Sequence, residues 1–147
     1  MRKEPDKSKE LNTSIHLIND KLHFKGIVED HIPLSIDYTA PLGDDLGYTS
    51  LELLLFSLSS CLGSALLIFL RKMKKTITGL EIHSKGIRKE EHPTGFKTIL
   101  LEINLNSTDT TIDDLNKVLK LSEDTYCPVW SMLKGNVEIN TKCTIIS

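Results

Sequence analysis

The fold turns on LELLLFSLSSCLGSALLIFL, Leu51 to Leu70, a stretch whose only charge is Glu52. A helix formed here is apolar on every side, and such helices are either deeply buried or membrane-spanning. The length is close to that of a bilayer span, and the basic RKMKK that follows resembles a cytoplasmic anchor. Four serines and Gly63 argue against insertion. So do the flanking segments, which read as strands and need a central layer to pack on. A long, central, buried helix is the reading adopted, with membrane insertion as its alternative. In a chain of 147 residues, burial on all sides also calls for a second subunit.

The helix has its own start and stop signals. Thr49 with Glu52 three residues later fits a capping box, and the helix is predicted over about Ser50 to Lys74. Arg71, Lys72, Lys74 and Lys75 suit the negative end of its dipole, which accounts for the charge cluster without a ligand.

Working toward the N-terminus, SIHLINDKLHFK places Asn19-Asp20 between two alternating runs, as in a two-residue hairpin. That register pairs Leu17 with Leu22, His16 with His23 and Ile15 with Phe24, so the apolar residues share one face and the histidines the other. A third strand is expected in PLSIDYT, and the Gly/Asp-rich APLGDDLGYTS leads into the helix. Residues 1–10, charged and without an apolar core, are expected to be a flexible lead-in and not a signal peptide.

Beyond the helix, GLEIHSKGI and GFKTILLEINLN alternate as strands, joined by the polar RKEEHPTG. TTIDDLNKVLKLSEDTY carries Ile112, Leu115, Val118, Leu119 and Ser122 at helical spacing, with Asp113 and Asp114 in the first turn. A short helix from Pro128 to Leu133 follows a break, with Gly135 placed to end it. In NVEINTKCTIIS, Val137, Ile139, Thr141, Cys143 and Ile145 share a face. Three strands, a long helix, two strands, a broken helix and a last strand give an α+β class, as one domain over 11–147.

Composition excludes several functions. A net charge of −2 offers no footprint for nucleic acid or an anionic membrane. Three widely spaced cysteines make no disulfide framework, so a reducing cytoplasm is the expected compartment. His16 and His23 supply two metal ligands where a zinc site usually takes three or four, and no metal or other cofactor is expected. His31, His83 and His92 stand apart. No phosphate loop, dinucleotide fingerprint or nucleophile elbow is present.

Chemistry is left to the thiols. In YCPVW, Cys127 precedes Pro128 at the first helical position, which makes it the N-cap. A thiol there faces unpaired N–H groups and the positive end of a dipole, a placement that lowers its pKa. The alternative is a small buried residue ahead of a turn. Cys61, mid-way along the long helix beside Leu54, Leu58, Ala65 and Ile68, is either an inert core residue or a nucleophile. Spacing does not say whether the two meet. If they do, one thiolate attacks an electrophile and the other thiol resolves the sulfenic acid into a disulfide. Cys143 reads as an apolar-face residue.

SLELLLFSLSSCLGSALL, EEHPTGFKTILLEINL and YCPVWSMLKGNVEI together resemble the OsmC/Ohr superfamily, in its branch of predicted redox proteins. The likeness covers about Leu34 to Ile145. It implies an intertwined homodimer, in which two central helices lie back to back under sheets built from both chains. It also implies a thiol-dependent hydroperoxide reductase acting on organic peroxides and recycled by a cellular dithiol, with Cys61 as the peroxidatic residue and Cys127 as the resolving one.

Two parts of that machinery do not carry over. The reductases hold the thiolate with an arginine from the N-terminal sheet, and the arginines here are Arg2, Arg71 and Arg88. They place a glutamate ten positions before the first cysteine, where this chain has Leu51. Glu52 lies nine residues from Cys61, about 900° of helix and so on the opposite face. A lysine or histidine of the hairpin, such as Lys21 or Lys25, is the remaining source of a cation. A second function therefore stands beside the first: a non-catalytic dimer that binds a small apolar molecule in its interface cleft, with structural cysteines.

Overall fold

The computed structural model describes residues 9–147. The expected lead-in, residues 1–10, lies outside the described residues apart from Lys9 and Glu10. Two compact units form, Met1–Leu53 and Leu54–Ser147.

The N-terminal unit is an antiparallel sheet of β1 (Ser14–Leu17), β2 (Phe24–Ile27) and β3 (Leu34–Ile36), with β2 in the middle. The hairpin forms, but its register is shifted by two residues from the expected one. Leu17 pairs with Phe24 and His16 with Lys25, and the Ile18 N–H donates to the His23 carbonyl. The cause is Asn19, whose side-chain oxygen accepts from the N–H groups of both Lys21 and His23. That Asx-type turn closes a longer loop than the two-residue one. A two-residue slip leaves every side chain on the same face, so the apolar pattern cannot detect it.

The third strand is shorter than PLSIDYT because Asp37 leaves the ladder to organise the loop after it. Its buried carboxylate accepts from the backbone N–H groups of Tyr38 (2.7 Å), Asp44 (3.2 Å) and Leu46 (3.1 Å). Burial alone would push Asp37 up, but these bonds, with His23 nearby, hold it below its ordinary 3.8.

Helix α1 (Ser50–Lys72) starts as expected. The Thr49 N–H donates to Glu52 Oε1, and the Glu52 N–H donates to Thr49 Oγ1, which completes the capping box. At the other end Lys74 takes a left-handed φ of 59°. The N–H groups of Lys74 and Lys75 return to the carbonyls of Arg71 and Leu70, a Schellman arrangement that stops the helix.

In the C-terminal unit β4 (Ile77–Arg88), β5 (Phe96–Ser107) and β6 (Glu138–Ile146) form a second sheet with β5 central. Ile99, Leu101, Ile103 and Leu105 of β5 alternate onto the core face and are fully buried. From α1 come Leu58, Leu62, Leu66 and Leu70, also fully buried. Gly63 sits within 3.3–3.4 Å of Ile82 and Leu80 by the reach of an added Cβ, so the helix lies close on β4. The opposite face of α1 is open: Phe56 is 54% and Ile68 52% exposed. By length and composition α1 also remains apolar enough to span a membrane.

β4 and β5 are antiparallel, whereas β5 and β6 are parallel, which the alternation of β6 does not announce. A parallel neighbour requires a crossover. Here it consists of α2 (Ile112–Leu121), a π-helical turn (Ser122–Tyr126) and α3 (Pro128–Leu133). Thr111 and Asp114 cap α2 reciprocally, and Leu115, Val118 and Leu119 are its buried face. Ile112, expected on that face, is largely exposed.

Candidate functional site

The crossover places one thiol and α1 the other. Ser122 is buried, and its hydroxyl donates to the Val118 carbonyl at 2.8 Å. Its own carbonyl accepts from the Cys127 N–H, also at 2.8 Å, an i to i+5 bond that defines the π turn. This turn is the break expected between the two helices. Extended Cys127, with φ −94° and ψ 102°, then caps α3, with Pro128 at the first position. The Trp130 N–H donates to Cys127 Sγ at 3.4 Å, and Gly135 ends the segment with a φ of 90°.

Cys61 and Cys127 meet. The Cys61 thiol is near enough to act on the ionisation of Cys127, and both thiols are free. Cys127 is buried, while Cys61 is half-buried. The expectation that capping α3 would lower the Cys127 pKa is not met, for burial pushes it up to about 11. The Trp130 N–H works in the other direction, and the neighbouring Cys61 thiol adds to the rise. One N–H bond at the head of a six-residue helix does not offset the loss of water around a thiolate. Cys127 is thus a protonated thiol at neutral pH.

Tyr126, directly before Cys127, lays its ring against Phe69 of α1, with centroids 4.7 Å apart and planes at 61°. Lys72 Nζ lies 5.6 Å from the Phe69 centroid. Neither Tyr126 nor Phe69 was singled out by sequence; the only signal was their flanking of the cysteine segments.

Several of the remaining candidates are occupied elsewhere. Lys21 pairs with Asp44 at 2.8 Å, which raises its pKa, and His23 Nε2 is 2.6 Å from Ser35 Oγ. Glu52 serves the capping box, whose bonds hold its carboxyl low. Arg88 is spent on Thr94, donating through Nε to its carbonyl at 2.6 Å. Among the described residues, no three His, Cys, Asp or Glu side chains group to hold a metal. Cys143 of β6 pairs in register with buried Ile103; burial and the nearby Glu123 raise its pKa.

Comparison with solved structures places the fold. A hypothetical protein from Aquifex aeolicus VF5 matches with a TM-score of 0.82 at 23% identity, over 93% of this chain and 96% of that one. The OsmC-like protein from Mycoplasma pneumoniae gives 0.80 at 18% identity, over 94% and 98%. The organic hydroperoxide resistance protein OhrB of Bacillus subtilis gives 0.66 at 18% identity, over 92% and 98%. No curated protein matches the sequence. The family model described as OsmC-like protein matches residues 43–142, a span that contains both Cys61 and Cys127. The chain belongs to the OsmC-like family.

Proposed function

We propose that the protein is a thiol-dependent reductase of organic hydroperoxides that works through Cys61 and Cys127. The observation that carries this reading is the meeting of the two thiols, one of them held protonated. Cys61 as thiolate attacks the peroxide oxygen distal to carbon, giving a sulfenic acid and an alcohol. The Cys127 sulfur then attacks the Cys61 sulfur and expels hydroxide, which leaves as water with the Cys127 proton. The sum is two thiols and one hydroperoxide to one disulfide, one alcohol and one water. A cellular dithiol would return the pair to the reduced state, in a reducing cytoplasm.

The reading includes a homodimer, with residues 11–147 acting as one OsmC-like domain. Phe56, Ser60, Ser64 and Ile68 recur every four residues along the open face of α1, a stripe on which a second copy of the helix could pack closely.

A single-turnover titration with an organic hydroperoxide tests the chemistry. The wild type should lose two thiols per chain, and Cys127→Ser should hold a sulfenic acid on Cys61. Thiols that react no faster than free cysteine would remove the enzyme reading.

A second reading, a non-catalytic dimer binding a small apolar molecule, has one observation in its favour. The N-terminal unit carries an apolar hollow of about 470 Å³ lined by Ile15, Val28, Ile32, Leu34 and Ile36. Its size is within the usual range for small-ligand sites.

A further inference from the structure

Cys127 is fixed in its own segment from two sides, by Ser122 before it and Trp130 after it. Both bonds lie within the crossover, so neither ties the segment to α1. The Phe69–Tyr126 ring contact does. Phe69 is eight residues beyond Cys61, about 12 Å further along the same helix. Tyr126 is adjacent in the chain to Cys127, and its ring packs on Phe69 in an edge-to-face arrangement. Tyr126 is 54% exposed, so core burial does not explain where its ring lies. An edge-to-face pair has a preferred geometry beyond its apolar area, and here it joins the two elements that carry the two sulfurs.

We propose that the Phe69–Tyr126 pair is a latch that holds the Cys127 turn on α1 and sets how often the two sulfurs meet. Tyr126 is a positioning residue; it touches neither sulfur's chemistry. This rests on the reading of Cys61 and Cys127 as a disulfide-forming pair. The latch acts on the second step, attack of Cys127 sulfur on oxidised Cys61, and leaves the first step unchanged. Removing an edge-to-face pair should lower the effective concentration of one thiol at the other by about two- to tenfold.

The test is the equilibrium of the protein dithiol with its disulfide in glutathione buffers of known ratio, read by mass after acid quench. Tyr126→Ala should shift the midpoint toward the dithiol by that factor. Tyr126→Phe, which keeps the ring edge, should match the wild type. Because the ring is half exposed, the fold should survive, and the Cys61 alkylation rate in a Cys127→Ser background should not change with Tyr126→Ala. A Phe69→Leu and Tyr126→Leu double-mutant cycle should return a coupling of the same size. An unchanged midpoint in Tyr126→Ala, or a Phe variant as weak as Ala, overturns the latch. A wild type that closes the disulfide in glutathione yet ignores hydroperoxide would sink the peroxidase reading alone, with the midpoint shift still deciding the latch. A wild type that closes no disulfide overturns both.

Discussion

Cys61 of α1 and Cys127 at the head of α3 lie side by side, yet only Cys127 has its sulfur tied to the backbone, by the Trp130 N–H. The Cys61 sulfur is the more accessible of the two, and that of Cys127 is withdrawn from solvent.

The pKa of about 11 fixes how Cys127 should respond to pH. At pH 7 about one Cys127 in ten thousand is thiolate. Alkylation of Cys127 by iodoacetamide, resolved by peptide mass, should therefore rise about tenfold per pH unit up to about 11. The same shift bears on stability. In the unfolded chain the thiol ionises near 9.0 while the folded protein keeps its proton. This contribution is thus complete below about pH 9 and disappears as pH rises to about 11. Denaturant midpoints of wild type and Cys127→Ser should converge across that interval.

Asp37 has the opposite sign. Its pKa is depressed below 3.8, so its contribution is present above that value and is lost as pH falls through the folded pKa. Asp37→Ala leaves the N–H groups of Tyr38, Asp44 and Leu46 without their acceptor. Amide hydrogen exchange at those three positions should accelerate in Asp37→Ala at neutral pH, with α2 exchange unchanged.

Packing on the buried face of α1 can be measured directly. Leu66 is fully buried, and Leu66→Ala should cost about 2–5 kcal/mol in urea unfolding. At the helix start, Thr49→Ala removes the reciprocal cap and should cost about 1 kcal/mol. A value near zero at Thr49 would mean that water replaces the cap.

Gly86 of β4 sits under the Phe96 ring, and a Cβ there would come within 2.2 Å of Phe96 Cε1. Gly86→Ala should displace the ring and cost about 1–3 kcal/mol, visible as a lower Tm. Pairing Gly86→Ala with Phe96→Leu should recover part of the loss.

What was legible in the sequence follows from periodicity and punctuation. The unbroken apolar run, the Thr49–Glu52 pair and the basic end located α1, and alternation located β4 and β5, because burial writes those patterns directly. Pro128 and Gly135 bracketed α3 for reasons of backbone freedom. The register at Asn19 was missed because a two-residue slip preserves both faces. The parallel partner of β6 was hidden because alternation is the same in either direction. At the site, the identities of the two cysteines were visible, but their meeting depends on a crossover whose turn is set by a buried Ser122. The pKa of Cys127 was misjudged because a local cap is easily read from sequence, whereas depth of burial is a tertiary property.

The π turn has a consequence for chain length. Each α-helical residue advances the chain by about 100° around its axis, and Cys127 N–H reaches back five residues to Ser122 where an α turn would reach four. With the chain length unchanged, an α register carried through this stretch would put Cys127 five α residues beyond Ser122, and the thiol would swing about 100° from where the wider turn leaves it. The phase of the helix at that point is therefore set by the width of the turn. The wider turn absorbs one residue, so a single deletion there would exchange it for an ordinary α turn and leave the sulfur pointing the same way.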